Sequence, residues 1–157
     1  MKKGWVKKLG IIVGVLIVMQ FIGINKQVPT VEPAMDFMAV ETPPSHLQEL
    51  IKNACYDCHS YETKYPSYSN IAPISWVIGN HVKDGRKHLN FSIWDSYSDE
   101  IKRDILYKSY KQTGARLMPL YTYVIMHKEA KIPNKELKEL YTWFKERSAD
   151  YDKQLTQ

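Results

Sequence analysis

The chain has little cysteine, and its charge is unevenly spread. Two cysteines in 157 residues exclude a disulfide-rich scaffold. Residues 1–24 contain no acid, yet they hold Lys2, Lys3, Lys7 and Lys8. Taking these four from the 22 basic residues leaves 18 against 17 acidic ones, so most of the net charge of +5 belongs to one end. The near-neutral remainder has no electrostatic reason to hold a phosphate backbone, and nucleic acid is not an expected partner. Alternating apolar and polar runs are missing, as is any internal repeat, so nothing points to a sheet or a solenoid. Hydrophobic residues at 44% and charged ones at 25% exclude a fully disordered chain, and the length suits one domain.

The longest apolar run is Leu9–Ile24, with Gln20 its only strongly polar side chain. Extended back to Trp5 it reaches 20 residues, enough at 1.5 Å each for a bilayer core of about 30 Å. Residues 1–24 are therefore expected to be one transmembrane helix that attaches the protein to a membrane. The preceding lysines put the N-terminus in the cytoplasm. The expected location is the cytoplasmic membrane, single-pass, with the domain on the periplasmic or extracytoplasmic side. A cleaved signal peptide competes, but Gly23-Ile24-Asn25-Lys26-Gln27-Val28-Pro29 lacks the small-residue cleavage pattern. Four of the eight prolines (Pro29, Pro33, Pro43 and Pro44) fall within 25–44, which reads as an extended tether.

The folded domain is expected over 45–157, all-α. Ser45 and Gln48 have capping-box spacing ahead of Leu47, Leu50, Ile51 and Ala54 on one helical face. Pro73 suits the start of a second helix, with Ile71, Ile74, Ile78 and Val82 as its core stripe. Residues 84–97 look irregular. Ser98 opens a third helix that ends before Gly114, and 119–129 could hold a short fourth. Asn134 is read as the cap of a last helix, with Leu137, Leu140, Tyr141 and Phe144 at its core spacing.

Both cysteines lie in Cys55-Tyr56-Asp57-Cys58-His59. C-x-x-C-H is the attachment signal for c-type haem. On a helix Cys55 and Cys58 share a face, so both sulfurs can bond the vinyl groups on one haem edge. One turn on from Cys55, His59 can then offer its imidazole to iron. The expected cofactor is one covalent haem c per chain, with its iron. A redox C-x-x-C would want a βαβ context, a zinc site a second ligand pair, and a disulfide across so short a loop gains little.

The sixth iron position is open to several residues. Met118 sits in a loop between Gly114 and Pro119 and is free to swing its thioether. Met126 falls in a helical pattern and reads as core packing. His81, His88 or His127 could serve instead, or no protein ligand at all. Arg86, Lys87, Arg116, Trp76, Trp94 and Tyr121 are candidates to hold the haem carboxylates.

The chain resembles a bacterial family of small haem-binding domain proteins, distantly similar to class I cytochromes c. The resemblance is carried by Cys55-Tyr56-Asp57-Cys58-His59-Ser60, by Glu62-Thr63-Lys64-Tyr65-Pro66 and by Tyr68-Ser69-Asn70-Ile71-Ala72-Pro73. It continues through Trp76, His81-Val82, Gly85-Arg86-Lys87-His88-Leu89-Asn90-Phe91, Met118-Pro119, His127 and Trp143. It covers roughly residues 45–147. It implies covalent haem through Cys55 and Cys58, His59 as proximal and Met118 as distal ligand, a cytochrome c-like helical domain and one N-terminal anchor. The leading expectation is a single-electron carrier serving redox partner proteins rather than an enzyme. The alternative is a peroxidase-like enzyme or a gas or redox sensor with an open or displaceable sixth ligand.

Overall fold

The computed structural model describes residues 2–156. Among them are seven α-helices joined by short 3-10 turns, with no strand, as an all-α domain requires. The helices are α1 (Lys2–Met19), α2 (Phe37–Glu41), α3 (Ser45–His59) and α4 (Ile74–His88), then α5 (Asp99–Gly114), α6 (Tyr121–Met126) and α7 (Asn134–Leu155).

Two long helices form the scaffold. Tyr110 packs on Tyr141, and Ser148 Oγ donates to the Arg103 carbonyl, so numbers rise on α5 as they fall on α7. The pair is antiparallel. Leu137, Leu140 and Phe144 turn inward from α7 at the spacing the sequence shows, and Ile105 and Leu106 meet them from α5. Ser98 accepts from the Ile101 N–H and caps α5 as expected. Ser45 and Asn134 do not cap. Each is the first residue of its helix, Gln48 Nε2 donates to the Pro43 carbonyl, and Asn134 Oδ1 accepts from Arg116.

Part of the expected tether is core. Phe37 is fully buried, with its ring 4.7 Å from Phe91 and 4.9 Å from Trp94. Glu41 is buried four residues on. Its carboxylate accepts from Trp94 Nε1 at 2.7 Å, from Tyr151 Oη and from Arg147 Nε, both at 2.5 Å. A buried carboxylate is tolerated only when its lone pairs are met this way, so α2 is clasped onto α7 and the turn at Phe91–Ser96. Burial and the bond to Glu41 hold the Tyr151 phenol protonated well above its usual range. The Phe91–Ser96 turn itself fills the core with Phe91 and Trp94, where the sequence shows only irregularity.

The transmembrane expectation is corrected. Among the described residues no helix is long and apolar enough to cross a membrane. Helix α1 carries its lysines inside it and stops at Met19, leaving Leu9–Met19 as its apolar part, about 16 Å of rise against about 30 Å for a bilayer core. The run breaks at Gln20, whose side chain pairs with both polar groups of the Ala72 backbone, at 3.0 and 3.1 Å. Trp76 Nε1 then donates to the Ile22 carbonyl. Gly79 faces Ile24 so closely that a Cβ would lie 2.8 Å from its side chain. Residues 20–24 are thus fastened to the start of α4 rather than continuing a span. The single-pass location and the extracytoplasmic placement drawn from that span lose their support with it.

Candidate functional site

The pentapeptide occupies the last turns of α3, and each of its residues has a separate structural role. Tyr56 is buried, stacks on Phe91 at 4.9 Å and donates to Asp36 Oδ1. Asp57 ties in the following loop: its Oδ1 accepts from the Lys64 N–H, its Oδ2 from Tyr123 Oη at 2.7 Å, and its carbonyl from Thr63 Oγ1. Cys55 packs against the core, and Cys58, one turn on, lines a cleft. Both are free thiols. Burial pushes Cys55 up to about 12, with Cys58 adding; burial pushes Cys58 up to about 11, with Asp57 adding and Arg86 opposing. A redox dithiol needs a thiolate near neutral pH, so these environments oppose that reading. No three His, Cys, Asp or Glu side chains converge among the described residues, as a closed zinc site would need.

His59 is the most constrained of the three. Its Nδ1 lies 2.9 Å from the Gly85 carbonyl and 3.2 Å from that of Leu89. Both partners are acceptors, so Nδ1 carries the proton and Nε2 keeps its lone pair. Burial lowers the pKa of the imidazole, although the two carbonyls pull the other way, and the ring is neutral. A neutral imidazole with its far nitrogen pinned to backbone carbonyl is the arrangement found in metal-ligating histidines. The Gly85 position permits this. A Cβ there would stand 2.5 Å from the Cys58 carbonyl oxygen, so only glycine lets α4 approach α3 closely enough for its carbonyl to reach the ring. The sequence reading did not assign Gly85 or Leu89 a role, yet a lone glycine in a helical pattern is a signal of close backbone approach.

The cleft beside Cys58 has a volume of about 220 Å³ and is mainly apolar. Ile74, Val77 and Ile78 form one wall; of the stripe expected to be core, Val82 is buried and Ile78 half-buried, while Ile71 and Ile74 are 54% and 49% exposed. Tyr65, Pro66 and Tyr68 form another, so the aromatic loop after the pentapeptide closes over this edge. Met126 also lines the cleft and is 60% exposed, which corrects its assignment to core packing. His127 lies on the wall with both nitrogens engaged, Nε2 with Tyr68 Oη at 3.1 Å and Nδ1 with Glu129 at 3.3 Å; its ring stacks on Tyr123. His81 lines the cleft and is exposed, while His88, also exposed, does not. Met118 is half-buried in the loop before α6 and is not part of the cleft wall, although Leu120 is.

The carboxylate-holding candidates are mostly committed elsewhere. Trp94 is spent on Glu41 and Trp76 on Ile22; Arg116 bonds Asn134, Lys87 meets Asp84, and Tyr121 is 79% exposed. Arg86 donates to the Ser60 carbonyl and to Thr63 Oγ1, which fixes the turn that follows His59.

An imidazole with a free Nε2, two cysteines one turn apart, and a cleft with an exposed apolar wall form a donor set that fits a haem. Comparison with known proteins gives the same cofactor. The haem-binding domain family matches residues 14–146. No curated protein and no solved structure matches the chain. The family match takes in the buried α2 segment as well as the pentapeptide, the two carbonyls that hold His59 and the cleft wall, and the chain belongs to the haem-binding domain family.

Proposed function

We propose that the chain is a c-type cytochrome that passes single electrons between redox partner proteins. The observation that carries this reading is His59, neutral and held by two carbonyls, on the same turn as Cys58 and one turn from Cys55. In this reading Cys55 and Cys58 each add their S–H across a vinyl double bond, which makes the haem part of the chain. His59 Nε2 is the proximal ligand. The haem, when bound, supplies the one-electron couple. The protein's own work is to hold the imidazole plane fixed, to present the apolar side chains of α4 to the ring, and to keep water from one edge with the loop at Tyr65–Tyr68. Met118 is the proposed distal ligand; Met126, already in the cleft wall, is the residue that competes for that place.

Protein from a host able to attach haem should keep its red colour through acid–acetone extraction. Colour that extracts would refute the covalent link without touching haem binding itself. A near-infrared sulfur-to-iron band should vanish in Met118→Ala and survive in Met126→Ala. The reverse result would move the ligand to Met126.

One arrangement favours a second reading. His127, held between Tyr68 and Glu129, is an acid–base group on the cleft wall, as a peroxidase-like or sensing haem would use. Rapid carbon monoxide binding to the reduced protein would support that reading over electron transfer.

A further inference from the structure

Helix α4 presents two different faces. Ile74, Val77, Ile78 and His81 point into the cleft already described. Trp76, Lys83, Arg86 and Lys87 lie about half a turn round the helix at 100° per residue, and they line a second, larger cleft of about 700 Å³. The two share only Tyr65 and Val82.

The second cleft is one-sided in charge. Lys83, Arg86 and Lys87 line it, and no Asp or Glu does. The chain outside residues 1–24 is close to neutral, so this is a local concentration of charge. Lys87 is tied loosely to Asp84 at 3.2 Å on the exposed surface, while Lys83 has no partner among the described residues. Arg86 uses Nε and Nη2 on the backbone and Thr63, which leaves Nη1, and its guanidinium stands over the Tyr61 ring at 5.1 Å. Asn90 adds a neutral donor: its Oδ1 accepts from the Ser92 N–H, which leaves its amide NH2 available to the cleft it lines. Tyr61, Tyr65 and Trp76 supply flat apolar wall between these donors.

We propose that this second cleft is a binding site for a free small molecule made of a planar ring system bearing a carboxylate or similar anionic group. The ring lies against the aromatic wall, and the anion meets Lys83, Lys87 and the free donors of Arg86 and Asn90. The proposal does not depend on how the haem is attached, because none of Cys55, Cys58 and His59 lines this cleft.

The test is calorimetric titration of the full, haem-bearing chain with 2-naphthoate, 2-naphthol and inorganic phosphate at low ionic strength. One-site binding of 2-naphthoate is expected, at least tenfold tighter than either other probe. The affinity should weaken severalfold on moving to physiological salt, because the cations are exposed. Lys83→Gln combined with Lys87→Gln should weaken binding at least tenfold with the haem spectrum and melting temperature unchanged, and Lys83→Arg with Lys87→Arg should restore it. Absence of saturable 2-naphthoate binding, equal binding of 2-naphthol, or indifference to the glutamine substitutions would overturn the site. Phosphate binding as tight as 2-naphthoate would overturn the assignment to planar ligands.

Discussion

The α5–α7 hairpin and the α3–α4 crossing are both helix pairs, but they are held by different means. The hairpin is long and antiparallel, and side chains packed at regular spacing hold it: Ile105 and Leu106 against Leu137, Leu140 and Phe144. Such packing tolerates small shifts, because many contacts share the load. The crossing is held at one point, where α3 meets Gly85 with no room for a Cβ and the Gly85 and Leu89 carbonyls accept from the His59 Nδ1–H. The hairpin and the Glu41 clasp keep the domain folded. The crossing sets the direction of one imidazole.

If this division is right, substitutions in the two regions should separate stability from spectrum. The largest effect expected is on the attachment turn. Cys55→Ala together with Cys58→Ala should abolish haem retained through acid–acetone extraction, read by haem stain on a denaturing gel. Next is the scaffold: Glu41→Ala strands Trp94, Tyr151 and Arg147, and should lower urea-unfolding stability by about 3 kcal/mol or more. The haem spectrum of that variant should stay as in the parent, and a changed spectrum would break the division. Gly85→Ala should behave in the opposite sense. It should cost about 1–3 kcal/mol through overpacking against the Cys58 carbonyl, and it should change the visible spectrum as His59 loses its anchor. The smallest effect on folding is expected for Met118→Ala, since Met118 is half-buried in a loop, while its sulfur-to-iron band should be lost altogether. Equal thermal destabilisation by Met118→Ala and Glu41→Ala would show that the loop belongs to the scaffold.

Local signals carried much of this molecule. The pentapeptide on a helix, the cap at Ser98 and the apolar spacing of α7 are written within a few residues each, and the structure keeps them. What the sequence hid is non-local. Phe37 and Glu41 lie among prolines, and the partners that bury them, Trp94, Arg147 and Tyr151, are 53 to 110 positions away. The apolar N-terminal run reads as one span because nothing in it reveals that Gln20 will pair with Ala72, 52 residues on. The 3-10 turn at Phe91–Ser96 has no apolar period to detect, yet it supplies two core aromatics. At the site the placing of Cys55, Cys58 and His59 on one stretch of helix was legible but the supports of His59 were not, because a backbone carbonyl has no side-chain signature. Of the stripe that points to core on α4, Val82 is buried but Ile71 and Ile74 are not, because periodicity reports an apolar face without saying what it meets.

The carbonyls that grip His59 come from the last turn of α4 and the residue that follows it, where the helix carries its negative pole. Pressed against that pole, the ring gives up electron density through Nε2 more readily than it would in water. A metal held by Nε2 would meet a stronger donor, which would favour its oxidised state. Shortening α4 by a turn would weaken that push while leaving Cys55, Cys58 and His59 in the sequence unchanged.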